Sequence, residues 1–294
     1  MAADASAKVR PRPMARSRKI PLTARRADRH LLYEHAVQGV DIELDFFERV
    51  YRARHGRRPT TFREDFCGTA SMACAFVRRG PERVAWGVDL DAPTLAYGDA
   101  HHRSALPPEA AARLHLVHGN VLDPLPGSAD IAAAMNFSYW VFKSRDLLRR
   151  YFGRAREGLT DGGIFYMDLY GGTGAMGVIE ERRNVNDARD RQGRPLQSYT
   201  YIWEQASFNP VTHDLACHIH FGFRDGTRLR RAFRYDWRLW TLPEVRELLL
   251  EAGFAAADVY MHGWTKDEEA DAHYRKRVRF ENTEGWIAYL AALA

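Results

Sequence analysis

The sequence predicts a doubly wound α/β fold, with a mostly parallel sheet and an inserted antiparallel meander. Between about residues 60 and 170, short apolar strands alternate with helical segments, which is typical of a parallel sheet covered by helices on both faces. Between residues 197 and 240, three aromatic-rich strands are joined by short turns. A chain of 294 residues with 46% hydrophobic content can bury one large core with such an insertion.

The predicted elements can be placed in chain order. A helix from Asp28 to Arg54 is broken near Gly39, and Gly56 and Pro59 close it. Strands follow at about 60–65, 84–89, 114–120, 129–137 and 163–170, with helices after the first, second and fourth of them. After the insertion come a helix at 242–252, strands at 257–261 and 277–280, and a final helix from Thr283.

The basic character of the chain lies in its N-terminal tail. Residues 1–30 carry nine lysines and arginines against two aspartates, so they contribute +7 to a total of +5 and the rest of the chain is at −2. A near-neutral body gives no evidence for a nucleic-acid-binding fold, and no nucleic-acid partner is expected. Residues 1–22 are predicted to be a disordered tail, followed by one domain over residues 23–294.

Cysteine usage and hydropathy set the expected compartment. The three cysteines, at positions 67, 74 and 217, form no Cys-x-x-Cys pair, so neither a disulfide framework nor a structural zinc site is expected. No apolar run is long enough to span a membrane, and no signal-peptide core is visible. We therefore expect a cytoplasmic protein without a membrane partner.

A strand that ends in Glu64 and Asp65 and turns through Gly68 into a helix predicts a nucleotide pocket. Of the dinucleotide-binding glycines, Gly68 alone is present, and there is no Walker lysine. A pyrophosphate near one of these carboxylates would meet repulsion of about 4 kcal/mol at ~4 Å and a dielectric constant of ~20. Asp89 ends the second strand, where it can accept hydrogen bonds from ribose hydroxyls. The pattern favours a cationic adenosyl cofactor.

Five segments in this order resemble the successive motifs of class I S-adenosylmethionine-dependent methyltransferases. They are 64–70, 87–91, 118–121, 136–139 and 162–165, and residues 240–254 are similar to a segment of small-molecule members of that family. The resemblance implies a seven-stranded Rossmann-like sheet, S-adenosyl-L-methionine as cofactor and S-adenosyl-L-homocysteine as product. The chain departs from the family pattern where Phe66 and Ala70 replace the first and third glycines.

Carried over to this sequence, the resemblance implies a set of cofactor-binding residues. Those against the methionine part are Glu64, Cys67 and Gly68, those around the ribose and adenine are Asp89, Leu90, Asn120 and Val121, and Tyr33 and Asn136 complete the set. Two points stay open: Asp65 is an alternative to Glu64 as the motif acid, and Tyr33 is equally compatible with a core position. Cys67 is more simply explained as a small buried hydrophobe than as a reactive thiol.

Methyl transfer from a sulfonium is an in-line displacement, so the protein mainly aligns the acceptor and excludes water. A general base is needed only if the acceptor is protonated. Tyr139 and Asp168 are the candidates for catalysis, and Trp140 and Tyr170 for contact with the substrate. His218 and His220 share one face of a strand, but no third ligand is visible, so no metal is expected.

Three functions remain open at this point. The first is methyl transfer to a nitrogen or oxygen of a small molecule, with the 197–240 insertion as a lid over the acceptor or as a homodimer contact. The second is methylation of RNA or protein with help from the arginine-rich tail. The third is a non-catalytic protein that binds an adenosyl cofactor, since two motif glycines are missing.

Overall fold

The computed structural model describes residues 19–124, 127–263 and 273–294. Within these ranges no helix combines the length and apolar character required to cross a lipid bilayer. Seven α-helices are present: α1 (Arg29–Val37), α2 (Val40–His55), α3 (Ser71–Arg78), α4 (Ala92–His101), α5 (Pro108–Ala111), α6 (Arg145–Glu157) and α7 (Leu242–Glu251). The predicted break near Gly39 is confirmed, because α1 ends at Val37 and α2 begins at Val40.

The described residues include twelve strands, which form two sheets. They are β1 (Thr61–Asp65), β2 (Val84–Asp89), β3 (Leu114–His118), β4 (Ala129–Ala134), β5 (Leu159–Gly171), β6 (Ile179–Val185), β7 (Tyr199–Phe208), β8 (Asp214–Gly222), β9 (Arg228–Arg238), β10 (Ala256–Met261), β11 (Arg275–Lys276) and β12 (Trp286–Leu293). The larger sheet has the order β11-β10-β12-β5-β4-β1-β2-β3, and its five N-terminal strands are parallel. The sheet has eight strands, of which the edge strand β11 is only two residues long.

Two hydrophobic clusters cover opposite faces of the larger sheet. Buried residues of α2 and α3 belong to one cluster, and buried residues of α6 and α7 belong to the other. Each helix contributes an apolar stripe, for example Leu148, Tyr151 and Phe152 on α6. The doubly wound, mostly parallel sheet predicted from the sequence is therefore confirmed. All five parallel strands direct their carboxyl ends to the same edge, where a ligand site is expected.

The inserted sheet begins earlier than predicted and has four strands. Its order is β6-β7-β8-β9, all antiparallel, so it starts at Ile179 rather than at residue 197. Strand β6 was not predicted because it has no apolar pattern. Most of its side chains are exposed and many are charged, since it lies at the edge of the sheet. The predicted meander over 197–240 corresponds to β7, β8 and β9.

The C-terminal segment was predicted wrongly. Instead of a helix from Thr283, the chain forms β12, which pairs antiparallel with both β5 and β10. Residues Ala288 to Ala292 are buried on both faces of the sheet, and a strand covered on both faces reads as a continuous apolar run without a period of two. The strand predicted at 277–280 is likewise replaced by β11 at Arg275–Lys276.

The N-terminal tail is ordered earlier than predicted. Residues 1–18 lie outside the described residues, but residues 19–22 contact the segment that leads into β7. The Ile20 N–H donates to the Pro195 carbonyl at 2.9 Å, and the Gln197 N–H donates to the Ile20 carbonyl at 2.8 Å. Leu22 is buried. The predicted disorder up to residue 22 is therefore wrong for its last four residues, because they pair with the insertion.

Candidate functional site

The acids at the end of β1 point to opposite faces of the sheet. Asp65 forms an ion pair with Arg63 at 3.0 Å and accepts a hydrogen bond from the Tyr151 hydroxyl at 2.9 Å. Glu64 instead accepts from the Ala73 N–H at 2.9 Å, in the first turn of α3. Burial raises the pKa of Glu64 to about 8, against the lowering effect of that N–H. Asp65 is occupied by structural partners, whereas Glu64 lies beside the turn.

The turn after β1 keeps a backbone that usually requires glycine. Phe66, Gly68 and Ala70 all have positive φ, at 55°, 53° and 54°. Phe66 and Ala70 thus hold the left-handed conformation at the two positions where the family pattern has glycine, at a cost in backbone strain. Helix α4 also packs closely on this turn, because a Cβ at Gly98 would lie 2.3 Å from the Thr69 carbonyl oxygen.

Asp89 connects the turn to the ends of β2 and β3. Its carboxylate accepts from the Gly68 N–H at 2.7 Å and from the Asp91 N–H at 2.8 Å. The Gly119 N–H donates to the Asp89 carbonyl at 3.0 Å, which brings Asn120 and Val121 to the same edge. Leu90 is 64% exposed there. The predicted ribose and adenine residues are therefore neighbours at the carboxyl ends of two adjacent strands.

Cys67 lies in the turn as a buried residue. Burial raises the pKa of its thiol well above the ordinary value, and the neighbouring carboxyls of Glu64 and Asp89 act in the same direction. The neutral thiol is therefore strongly favoured at neutral pH. A nucleophilic role does not fit this environment.

A cavity of about 600 Å³ lies between α1, the ends of β4 and β5, the start of β12 and the inner face of the inserted sheet. Ten of the 23 described residues that line it are aromatic: Tyr33, Phe137, Tyr170, Tyr201, Trp203, Tyr235, Trp237, Tyr274, Trp286 and Tyr289. Asn136, Gln205, His262 and two carboxylates, Glu181 and Glu284, also line it, and none of its described lining residues is a lysine or arginine. The cavity is therefore aromatic and acidic rather than basic.

Three of the predicted residues line this cavity. Tyr33 reaches it from α1, and its ring lies 4.9 Å from that of Phe233 on the inserted sheet. Asn136 reaches it from the end of β4, and Tyr170 from β5. The Tyr170 hydroxyl donates to Gln205 Oε1 at 3.0 Å, and Gln205 Nε2 donates to the Ala175 carbonyl at 2.8 Å, so the Tyr170 ring is held in place.

Tyr139 and Trp140 do not line the cavity. Both are fully buried in a short 3₁₀ turn, where the Tyr139 ring packs 5.9 Å from Phe152 of α6. Trp140 lies behind the cavity wall, with ring centroids 4.8 Å from Tyr170 and 5.9 Å from Trp237. Tyr139, predicted as catalytic, and Trp140, predicted to contact the substrate, therefore lie outside the cavity, because the turn directs both rings into the core.

Asp168 is buried next to the cavity and holds its wall. Its carboxylate accepts from the N–H groups of Asn136 and Phe137 at 3.1 and 3.0 Å, and both residues have left-handed backbones. Burial raises the pKa of Asp168 to about 7, although these N–H groups lower it. The carboxylate therefore stabilises the turn after β4, a role that differs from the direct catalysis predicted from the sequence.

The sequence interpretation missed Glu43 and its tyrosine partners. The Tyr289 hydroxyl donates to Glu43 Oε1 at 3.3 Å, and the Tyr274 hydroxyl donates to that of Tyr289 at 3.4 Å. Burial, followed by the carboxyl of Asp168, raises the pKa of Glu43 to about 8. A signal was present, because Glu43 precedes Phe46 and Phe47 by three and four positions and so lies in the apolar stripe of α2.

Helix α1 is fixed over the turn by one carboxylate. Glu34 accepts from the Thr69 hydroxyl at 2.8 Å, lies 2.7 Å from His102 Nε2, and forms an ion pair with Arg191 at 2.8 Å. These partners come from the turn, from the end of α4 and from the loop before β7. Tyr33, the neighbour of Glu34, is thereby positioned at the cavity.

His218 and His220 have a third acidic neighbour that the sequence did not reveal. Glu204 on β7 lies 2.8 Å from His218 Nδ1 and 3.0 Å from His220 Nε2, and the three side chains are close enough to hold a metal ion. However, the Arg231 N–H donates to His220 Nδ1 at 3.0 Å, so the proton of the neutral ring must be on Nε2. The geometry is that of two histidines donating to one carboxylate.

No known protein-family profile and no curated protein sequence matches the chain. Several solved structures are similar to it in fold. One is an S-adenosylmethionine-dependent methyltransferase from Clostridium acetobutylicum, with 17% identity and a TM-score of 0.62 over 90% of this chain and 96% of that one. The likeness shows that the chain has the class I S-adenosylmethionine-dependent methyltransferase fold.

Two further neighbours have more specific descriptions. CalS10 from Micromonospora echinaspora is an amino pentose methyltransferase whose structure contains bound S-adenosylmethionine, with 14% identity and a TM-score of 0.61 over 90% of this chain and 95% of that one. KedS8 from a Streptoalloteichus species is a sugar N-methyltransferase, with 14% identity and a TM-score of 0.59 over 99% of both chains. At these identities the likeness concerns the fold alone.

Proposed function

We propose that the protein transfers a methyl group from S-adenosyl-L-methionine to a nitrogen atom of a small amine. The observation that carries this proposal is the lining of the cavity that Tyr33 and Asn136 border, which has ten aromatic residues, two carboxylates and, among its described residues, no lysine or arginine. Aromatic faces and carboxylates attract an ammonium group, whereas they offer nothing to a phosphate or a carboxylate. The lining therefore supports an amine more than an anionic acceptor.

The residues at the turn fit a cationic adenosyl cofactor. Glu64 and Asp89 present carboxyls where a phosphate-binding site would need cations, and their described partners are backbone N–H groups. We propose that Glu64, Cys67 and Gly68 border the methionine part, that Asp89 binds the ribose, and that Leu90, Asn120 and Val121 enclose the adenine. When bound, the cofactor supplies an electrophilic methyl group, and the acceptor nitrogen forms the new C–N bond as the C–S bond breaks with its electron pair on sulfur.

The chain's own residues then orient the acceptor and exclude water. Tyr33 and Asn136 would face the reacting atoms, and Tyr170 would form one wall under the support of Gln205 and Trp140. Asp168 would keep Asn136 in place through its backbone N–H. The inner face of the inserted sheet closes the cavity, so we propose that the insertion is a lid over the acceptor rather than primarily a dimer contact.

The alternatives receive less support. A cavity of about 600 Å³ fits a small molecule rather than a nucleic-acid duplex. The hypothesis of a non-catalytic cofactor-binding protein rests on the two missing motif glycines. However, Phe66 and Ala70 keep the left-handed backbone that glycine would have there, which supports a turn that still binds the cofactor for catalysis. Size-exclusion chromatography would test the dimer alternative separately.

The test is binding followed by turnover with matched acceptors. Titration calorimetry with S-adenosyl-L-methionine is expected to show one site per chain. Production of S-adenosyl-L-homocysteine is then measured by mass spectrometry with two amine and hydroxyl pairs: glucosamine with glucose, and ethanolamine with ethylene glycol. Turnover is expected with amines only. Absence of cofactor binding would refute the proposal as a whole. Equal turnover with the hydroxyl compound of each pair would refute the preference for amines.

A further inference from the structure

Glu43 is a buried acid with an unusual set of neighbours. It is 7% exposed, and its described hydrogen-bond partner is the Tyr289 hydroxyl at 3.3 Å. Among the described residues, five acidic or phenolic groups interact with it: Tyr33 of α1, Glu64 of β1, Asp168 of β5, Tyr274 before β11 and Tyr289 of β12. Within the described chain, Glu43 forms no ion pair.

The hydroxyl groups next to Glu43 form a directed chain from the cavity. Tyr274 and Tyr289 both line the cavity, and Glu43 does not. The Tyr274 hydroxyl donates to Tyr289, which in turn donates to Glu43, so every donor points from the cavity toward the carboxyl. Tyr289 lies on β12 in the interior of the sheet, directly paired with Asp168 of β5, and this pairing fixes the geometry.

Asp168 is about as deeply buried as Glu43, but its carboxylate oxygens have different hydrogen-bond partners. Both of its oxygens accept backbone N–H groups, at 3.1 and 3.0 Å, and these bonds hold the turn after β4. Glu43 has no such commitment to the backbone of the described residues. Of these two buried acids, Glu43 is the one whose oxygen connects to cavity-lining hydroxyls.

Building on the proposed function, we infer that Glu43 takes up, through the Tyr289 hydroxyl, the proton that the acceptor ammonium must lose before methyl transfer. The ammonium gives a proton to Tyr289 oxygen while Tyr289 gives its own proton to Glu43 Oε1, and the nitrogen keeps the lone pair that forms the C–N bond. With a pKa of about 8, the carboxyl is ionised in a fraction of the ligand-free chains near neutral pH, and the positive charges of the cofactor and the ammonium would favour the ionised form that accepts the proton. Glu43 is thus a positioning and proton-accepting residue that acts through Tyr289.

The test uses two adenosyl ligands that differ at the reaction centre. Sinefungin carries an amine in place of the methylated sulfonium, and S-adenosyl-L-homocysteine carries a neutral sulfur. Calorimetry at pH 7 in phosphate and in Tris buffer gives the number of protons released on binding. With the wild-type chain, sinefungin is expected to release more protons than the homocysteine ligand, because its ammonium favours the ionised form of Glu43.

Three variants decide the assignment. Glu43→Gln keeps the acceptor oxygen for Tyr289 but cannot ionise, so the proton difference between the ligands should fall to the part that Glu64 contributes at the methionine end, and the preference for sinefungin should fall about tenfold. Tyr289→Phe should reduce the difference while leaving Glu43 in place. Asp41→Asn, on the exposed face of the same helix with its side chain 87% exposed, should leave it unchanged.

One result would overturn the assignment of Glu43, and another would overturn the proposed function itself. If the Glu43→Gln chain binds both ligands and shows the same proton difference as the wild type, the assignment of Glu43 is overturned. If the wild-type chain binds neither ligand, the proposed function fails, and the inference fails with it. Affinity of Glu43→Gln for S-adenosyl-L-homocysteine near the wild-type value would support the assignment, because it separates the proton role from a general loss of the cofactor site.

Discussion

Raising the pH from 7 to 8 is expected to destabilise the ligand-free protein. Burial raises the pKa of Glu43 and of Glu64 to about 8, compared with an ordinary value of 4.5. In this pH range the folded chain therefore holds protons that the unfolded chain has already released, and stability must fall as the pH rises. Each group with a pKa near 8 loses about 1 kcal/mol of its contribution over this interval, so the two together give about 2 kcal/mol.

Other shifted groups contribute less in this interval. Asp168, with a pKa of about 7, has already released about half of its proton at pH 7, so it adds only ~0.4 kcal/mol in the same direction. His30 and His220 have lowered pKa values, mainly through burial, so their opposing effect is largely complete by pH 7. The pKa of Asp130 is also lowered, despite burial, by hydrogen bonds from Arg57 and other donors, so its stabilising effect is lost only in strong acid. Between pH 7 and 8 the buried carboxyls should thus dominate the change in stability.

Urea unfolding at the two pH values, followed by tryptophan fluorescence, measures this change. The Glu43→Gln variant is the matched comparison, and it should lose only about 1 kcal/mol over the same interval, since one of the two groups can no longer ionise. A wild-type free energy of unfolding that stays constant or rises between pH 7 and 8 would refute the reasoning. It would mean that both carboxyls are already ionised in the folded chain at pH 7.

Four further predictions concern single positions. Asp89→Ala should weaken S-adenosyl-L-methionine binding by about 1 to 3 kcal/mol in calorimetry, and an unchanged dissociation constant would place the ribose elsewhere. Gly98→Ala should lower the free energy of unfolding by about 1 to 3 kcal/mol, because its Cβ would lie 2.3 Å from a carbonyl oxygen of the turn, whereas Gly153→Ala on α6 has open space and should be neutral or stabilising. Ala70→Gly should stabilise the chain by about 1 kcal/mol in urea unfolding by relieving its left-handed backbone; a loss would show that the strain is offset by packing. His218→Ala should leave cofactor affinity unchanged, and one equivalent of zinc chloride should not raise the wild-type melting temperature; a rise that this variant abolishes would establish a metal site.

Much of the fold could be predicted from the sequence because it depends on local patterns. The alternation of strands and helices, the break near Gly39 and the helix that begins after Thr241 follow from apolar periodicity and capping residues, and the structure confirms them. The final strand was not readable, since an alanine-rich apolar run buried on both faces has no period that separates strand from helix.

The candidate cofactor site could be predicted from the sequence only in part. The residues at the ends of β1, β2 and β3 could be assigned to one crevice, because parallel strands end at a common edge. Spacing alone left both Glu64 and Asp65 open, and our proposal of Glu64 rests on Arg63 and Tyr151, which occupy Asp65.

The sequence by itself determined the doubly wound sheet, the acid-rich turn and the aromatic insertion, since these follow from periodicity, strand-end positions and composition. Only the tertiary structure decided that Tyr170 lines the cavity while Tyr139 is buried behind it, and that Glu43 meets Tyr289. The physical reason is that local patterns indicate which positions are apolar, whereas the face that a turn presents and the pairing of residues 246 positions apart depend on long-range packing and register.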